Sequence, residues 1–158
     1  MKFFIALLLS LFVLLPSAAQ ATPPCMMQTP EEFSVTKAAS DLIVHGIITD
    51  YGSEDNPAGW TDIKTVKSYQ GDAPEKLRIH GWTSYFMPLY TYEKGMEVLL
   101  LLKKEDGRYV LTDLSWKKCI PSVIYLPPEE QLQKSDGTGL TRAEYIEKAL
   151  NRSAETEE

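Results

Sequence analysis

The run MEVLLLLKK, which begins at Met96, predicts a strand over Met96–Lys103. Successive side chains of a strand point to opposite faces. Val98 to Leu102 are apolar without a break. Such a strand must therefore be covered from both sides, as a central strand or one wrapped by other elements. Any fold for this chain has to supply that double cover.

The other strands read from composition and alternation. Leu42–Tyr51 (LIVHGIITDY) is rich in Leu, Ile and Val, and Gly46 in its middle marks a bulge or sharp bend. Thr61–Tyr69 is a second strand, followed by the turn Gln70-Gly71-Asp72-Ala73-Pro74. Over Glu75–Gly81, Leu77 and Ile79 point one way, and Lys76, Arg78 and His80 the other. Glu105-Asp106-Gly107 is a hairpin turn, and Arg108–Leu114 is the fifth strand. GSEDNPAG, residues 52–59, is a loop, and Pro121–Pro128 an extended connector.

Helices sit at the ends. Glu31–Ala39 forms a short one, with Phe33/Lys37 and Val35/Ala39 at i, i+4 and acids at its start. Thr141-x-x-Glu144 is a capping box opening a helix to about Arg152. Its stripe of Ala143, Ile146, Ala149 and Leu150 suits docking on a sheet. The fold class is thus mainly β: a small five-stranded barrel with a short N-terminal helix and a C-terminal helix, with an open sandwich as the alternative.

Residues 1–21, MKFFIALLLSLFVLLPSAAQA, have the pattern of a secretory leader. Lys2 precedes an apolar stretch, and Ala19-Gln20-Ala21 fits a cleavage site. The apolar stretch is short for a membrane span. The expected product begins at Thr22, with a barrel domain over 22–128 and a helical extension over 129–158 ending in an acidic tail. It is expected to be secreted or periplasmic and not membrane-bound after cleavage. The net charge is −6, and becomes −7 when Lys2 leaves with the leader. That balance argues against nucleic acid, which requires clustered Lys and Arg.

Cys25 and Cys119 are the only cysteines. In an exported protein they are expected to form one disulfide, closing a loop of about 95 residues and stabilising the fold by roughly 2–4 kcal/mol. Metal ligation is the rival reading, but two isolated cysteines without a neighbouring histidine make a poor site.

The order of Cys25, a short helix, ASDLIVHGIITDY, SYQGD, KLRIHGW, YEKGMEVLLLLKKEDGRYVLTD and Cys119 resembles the netrin-like OB-fold superfamily. That superfamily includes the tissue inhibitors of metalloproteinases and bacterial exported proteins. The resemblance implies an OB-like barrel over about Cys25–Cys119. It does not carry the inhibitors' mechanism with it. They chelate zinc through the amine and carbonyl of an N-terminal cysteine, next to a Cys-x-Cys. Here Met26 and Met27 follow Cys25, and Thr22-Pro23-Pro24 precede it.

Catalytic candidates are scarce. His45 reads as a hydrogen-bonded wall residue, and His80 as an exposed one beside two cations. A His45–His80 metal pair has no third ligand in view. Adjacent acids such as Glu105-Asp106 read as solvated charges rather than a glycosidase pair. No catalytic residue, metal or cofactor is therefore expected, and a small hydrolase is the remotest reading. The candidate binding surface is the aromatic loop, with Trp82, Tyr85, Phe86, Tyr90 and Tyr92, together with the 52–60 loop. The opposing reading has these rings plug the barrel end. The function expected is a non-enzymatic exported binding module for a protein or an envelope glycan. Its alternative is a metalloproteinase-type inhibitor acting through Thr22–Gln28. No oligomeric state follows from the sequence.

Overall fold

A computed structural model describes residues 29–53, 59–82, 93–114, 122–132 and 139–151. The chain runs α1 (Pro30–Ala38), β1 (Leu42–Gly52), β2 (Trp60–Gln70), β3 (Lys76–His80), β4 (Glu97–Glu105) and β5 (Arg108–Leu111). It continues through β6 (Val123–Tyr125), α2 (Glu129–Leu132) and α3 (Arg142–Leu150). Strands β1-β2-β3-β5-β4 pair in that order, and β4 returns to pair with β1. Among the described strand pairs only β3 and β5 run parallel. This is a closed five-stranded OB-like barrel, with β6 added.

β4 supplies the hub. Leu42–Ile47 of β1 lie along one of its edges, while β5 and β6 divide the other. Val98, Leu100 and Leu102 point into the barrel with Leu42, Val44, Ile48, Ile63, Leu77 and Ile79. Leu99 and Leu101 point outward into a second core with Phe33, Ile43, Leu126, Ile146 and Leu150. The double cover that the Met96–Lys103 run demands is thus a barrel interior on one side and helices on the other.

Local chemistry explains the corners. Register shifts flank Gly46 as β1 wraps the barrel. A Cβ built there would fall 2.2 Å from Ile63 Cγ2 and 3.0 Å from the Lys64 carbonyl. The hairpin between β4 and β5 places Asp106 and Gly107 at φ 48° and 78°. Both central residues are left-handed, as a two-residue type I′ turn requires.

Three expectations are revised. Residues Val123–Tyr125 of the presumed connector form β6, which pairs with Val98–Leu100 and fills the β4 edge that the short β5 leaves open. The fifth strand ends at Leu111 rather than Leu114. In α1, Val35 is 69% exposed, and Thr36 is buried beside Phe33 in place of the Val35/Ala39 pair. The helix is held at its start by a Thr29–Glu32 capping box. α3 has the anticipated Thr141–Glu144 box, with Asn151 as C-cap. Its Ile146, Ala149 and Leu150 are buried, whereas Ala143 is exposed.

Gly46→Ala is expected to destabilise the protein by about 1–3 kcal/mol, because the methyl group overpacks Ile63 in a closed wall. Thermal denaturation followed by circular dichroism checks this; an unchanged midpoint would show that the β1 bend relaxes freely.

Candidate functional site

The outer surface of the barrel has two halves. The β1–β4 half is roofed by α1 and α3 over Ile43, Leu99 and Leu101. At the edge of that roof His45, Glu97 and Arg142 meet. His45 is buried on β1, and its Nε2 lies 2.7 Å from Glu97 Oε2. Arg142, from the first turn of α3, brings its Nε within 3.4 Å of the same oxygen and donates to the Pro127 carbonyl. His45 is therefore a hydrogen-bonded wall residue that helps seat α3. Lys37 of α1 donates to the Leu150 carbonyl at 2.8 Å, tying the two helices together.

Between those helices and β2 lies a crevice of 390 Å³ that includes Lys67, Tyr69 and Glu147. Burial pushes the Tyr69 hydroxyl above its ordinary pKa, and the Glu147 carboxylate adds to the effect. Lys67 Nζ stands 4.8 Å from the centre of the Tyr69 ring.

The other half, formed by the near end of β2 with β3 and β5, is bare of described helices. Its outward residues pair across β2 and β3 as Trp60 with His80, Asp62 with Arg78, and Lys64 with Lys76. Inward-pointing Ile63, Leu77 and Ile79 anchor these strands in the core, which fixes the outward set by alternation.

Arg78 is the centre of the face. Its Nε and Nη2 donate to the two oxygens of Asp62 at 2.7 and 2.8 Å. Its guanidinium carbon lies 3.9 Å from the centre of the Trp60 ring. One side chain is thus fixed by a fork to a carboxylate and by stacking on an indole. Gly52, opposite Trp60 on β1, makes room for that indole, since a Cβ there would sit 2.8 Å from Trp60 Cζ2. The buried Trp60 Nε1 has no hydrogen-bond partner among the described residues.

Two crevices flank β3. One, of 530 Å³, is lined by Thr49, Asp62, Lys64, Glu75, Lys76 and Arg78 among others. The second, of 580 Å³, includes His80, Lys103, Glu105, Asp106, Arg108 and Thr112. Cations and acids are mixed in both, so the face is close to neutral on a chain of net charge −6. Nearby on β1, Asp50 is held below the usual carboxylate range, first by the hydrogen bond from Lys94 and then by the Tyr51 N–H.

Such a surface can bind. Among the described residues, His80 makes no hydrogen bond to a carboxylate or hydroxyl that would set it up as a base. Among the same residues, no three His, Cys, Asp or Glu side chains converge as a metal site would require.

The structure treats the anticipated surface unevenly. Trp82 is 2% exposed and packs in the barrel interior, with Thr61 Oγ1 donating to its carbonyl at 2.7 Å. It is a core residue, not a contact residue. A ring that follows β3 and packs with Ile79 completes the barrel wall. Tyr85, Phe86, Tyr90 and Tyr92, both cysteines, residues 1–21 and residues 54–58 lie outside the described residues. Trp60, at the end of the 52–60 loop, is the residue of that region that the structure brings into a cluster. The Trp60–Arg78–Asp62 group escaped sequence reasoning, although the alternation Lys76-x-Arg78-x-His80 had placed Arg78 on the outward face. What was missing was the β2 register that sets Asp62 against it.

Glu97→Gln removes the negative charge that His45 and Arg142 share. We expect a loss of about 1–3 kcal/mol, the range for disrupting a charged hydrogen bond. Amide hydrogen exchange should rise in α3 more than in β3, and α3 protection equal to that of the unmutated protein would refute the seating role.

No protein-family model matches this chain, and no curated protein sequence matches it.

Proposed function

We propose that this chain is an exported, non-enzymatic binding module that holds its ligand on the bare β2–β3–β5 face of the barrel. The observation that carries the reading is the Arg78 assembly. A guanidinium forked to Asp62 and stacked on Trp60 is rigid, outward-facing and set between two crevices. Fixed donors of this kind lose little side-chain entropy when a ligand arrives. OB-type barrels present the corresponding strands to their ligands, although a fold alone does not fix a function. The leader-like residues 1–21 and the order of motifs resembling the netrin-like superfamily support export and the binding role. Binding falls to this face because helices occupy the opposite one.

A photo-crosslinking residue placed at Lys76 on the bare face, and separately at Glu147 on α3, tests the reading in the envelope fraction of an exporting host. Discrete adducts from position 76 and none from position 147 are expected. Adducts from neither position, or from 147 alone, would overturn it. Intact mass of the same preparation reports the mature end. A chain beginning at Thr22 agrees with the binding module, whereas one beginning at Cys25 with a free amine would favour metalloproteinase inhibition instead.

A further inference from the structure

The roofed half of the barrel is closed to a large partner, yet the roof does not meet the wall everywhere. α1, α3 and the far end of β2 leave between them the crevice of 390 Å³. That volume is near the lower end of the range for small-ligand sites, about 300–1,000 Å³. Ile43 and Leu150 of the second core give it an apolar floor, and Ala143 of α3 adds to the lining.

The charged residues of its lining are Lys37, Lys67 and Glu147, each from a different element. Lys37 Nζ gives one N–H to the Leu150 carbonyl at 2.8 Å. An ammonium carries three donors, so two are left over. Lys67 Nζ stands over the Tyr69 ring, and among the described residues no hydrogen bond or ion pair accompanies that contact. Lys67 and Tyr69 are two residues apart on β2 and so share a face. Burial, with Glu147 adding to it, raises the Tyr69 pKa and keeps the hydroxyl a donor at neutral pH. Gln70 spends its amide N–H on the Ser40 carbonyl, and Asn151 contributes an exposed neutral amide.

Two ammonium groups against one carboxylate leave the crevice one positive charge in excess, on a chain of net charge −6. A cationic ligand would meet two like charges for one opposite. A neutral polar ligand would leave the ammonium groups without a counter-charge. A dianion would meet Glu147 as well as the two lysines, and like charges brought together discriminate against a ligand. A single negative charge on an apolar body suits both the charge balance and the floor. We infer that the crevice binds a small monocarboxylic acid, its carboxylate held by Lys37, Lys67 and the Tyr69 hydroxyl and its hydrocarbon body laid on Ile43 and Leu150. Glu147 excludes acids with a second charge. This site is separate from the bare face, so either reading can fail without the other.

The test is an NMR titration of the nitrogen-labelled protein, following the backbone amide signals of Lys37, Tyr69 and Leu150, with Arg78 as the reference on the bare face. The probes are hexanoate and benzoate, with hexanol, hexylamine and the dianion adipate as comparators. At least one monocarboxylate should shift the three signals saturably at millimolar concentration and leave Arg78 in place, while the comparators do not. Lys67→Gln should weaken that binding about tenfold, the loss expected for one charged hydrogen bond. Lys76→Ala should leave it unchanged. Glu147→Gln should strengthen monocarboxylate binding and admit adipate, a gain that a merely damaged fold would not produce. The inference is overturned if neither monocarboxylate binds, if hexanol binds as well as hexanoate, or if Lys67→Gln has no effect. Adipate binding the unmutated protein as tightly as hexanoate would overturn it too.

Discussion

β4 has no solvent face over Val98–Leu102, and the rest of the molecule is arranged around that fact. All five of its central side chains are buried, alternately in the barrel and beneath the helices. Closing the barrel and adding β6 satisfies one face and both edges. The other face leaves Leu99 and Leu101 uncovered, so α1 and α3 are a requirement of the strand rather than ornaments of the ends. Deleting the side chain of either leucine to alanine belongs to the range of about 2–5 kcal/mol for buried large-to-small changes. That is a large fraction of what a domain this size has in total.

This division of labour has a consequence for function. Helices that sit on β1, β4 and the far end of β2 leave the Trp60–Lys64 end of β2, with β3 and β5, without a described helix over them. The seam is fastened by His45, Glu97 and Arg142, a carboxylate shared between a buried imidazole and a guanidinium. Burial makes such a contact sensitive to loss of either partner. The same chemistry on the bare side obeys different arithmetic. Arg78 and Asp62 are 42% and 31% exposed, and exposed pairs contribute only about 0–1 kcal/mol to stability.

Local features were legible in the sequence, and long-range ones were not. The alternation of Leu77 and Ile79, the bend at Gly46, the Asp106-Gly107 turn and the Thr141–Glu144 box each follow from a few neighbouring residues. The apolar run of β4 announced double burial, but not that β5 and β6 share its second edge. Val123–Tyr125 is too short and too proline-flanked to read as a strand; it is one because Val98–Leu100 need partners. In α1 the i, i+4 spacings do not reveal the inward face, which is Phe33 with Thr36, because Thr36 looks polar. Its hydroxyl is satisfied by the Glu32 carbonyl, which lets it turn inward. Trp82 stands next to other aromatics in sequence, but its place inside the barrel is set by the end of β3 and not by that neighbourhood.

The face around Arg78 makes more sense as recognition than as support. Stability alone gives little reason to hold a guanidinium in a two-point fork above an indole, since the pair is half in water. Among the described residues the buried indole N–H also finds no partner, which adds nothing to stability. Gly52 is needed to admit the ring at all, at a strand position where glycine weakens the strand. Each of these choices is mildly unfavourable for folding, and they converge on one outward patch between two crevices. The core can tolerate them because β4 and its two covers carry the stability elsewhere. The physical separation of a strongly buried half from a polar, hydrogen-bonded half leaves the second free to serve as the proposed binding face.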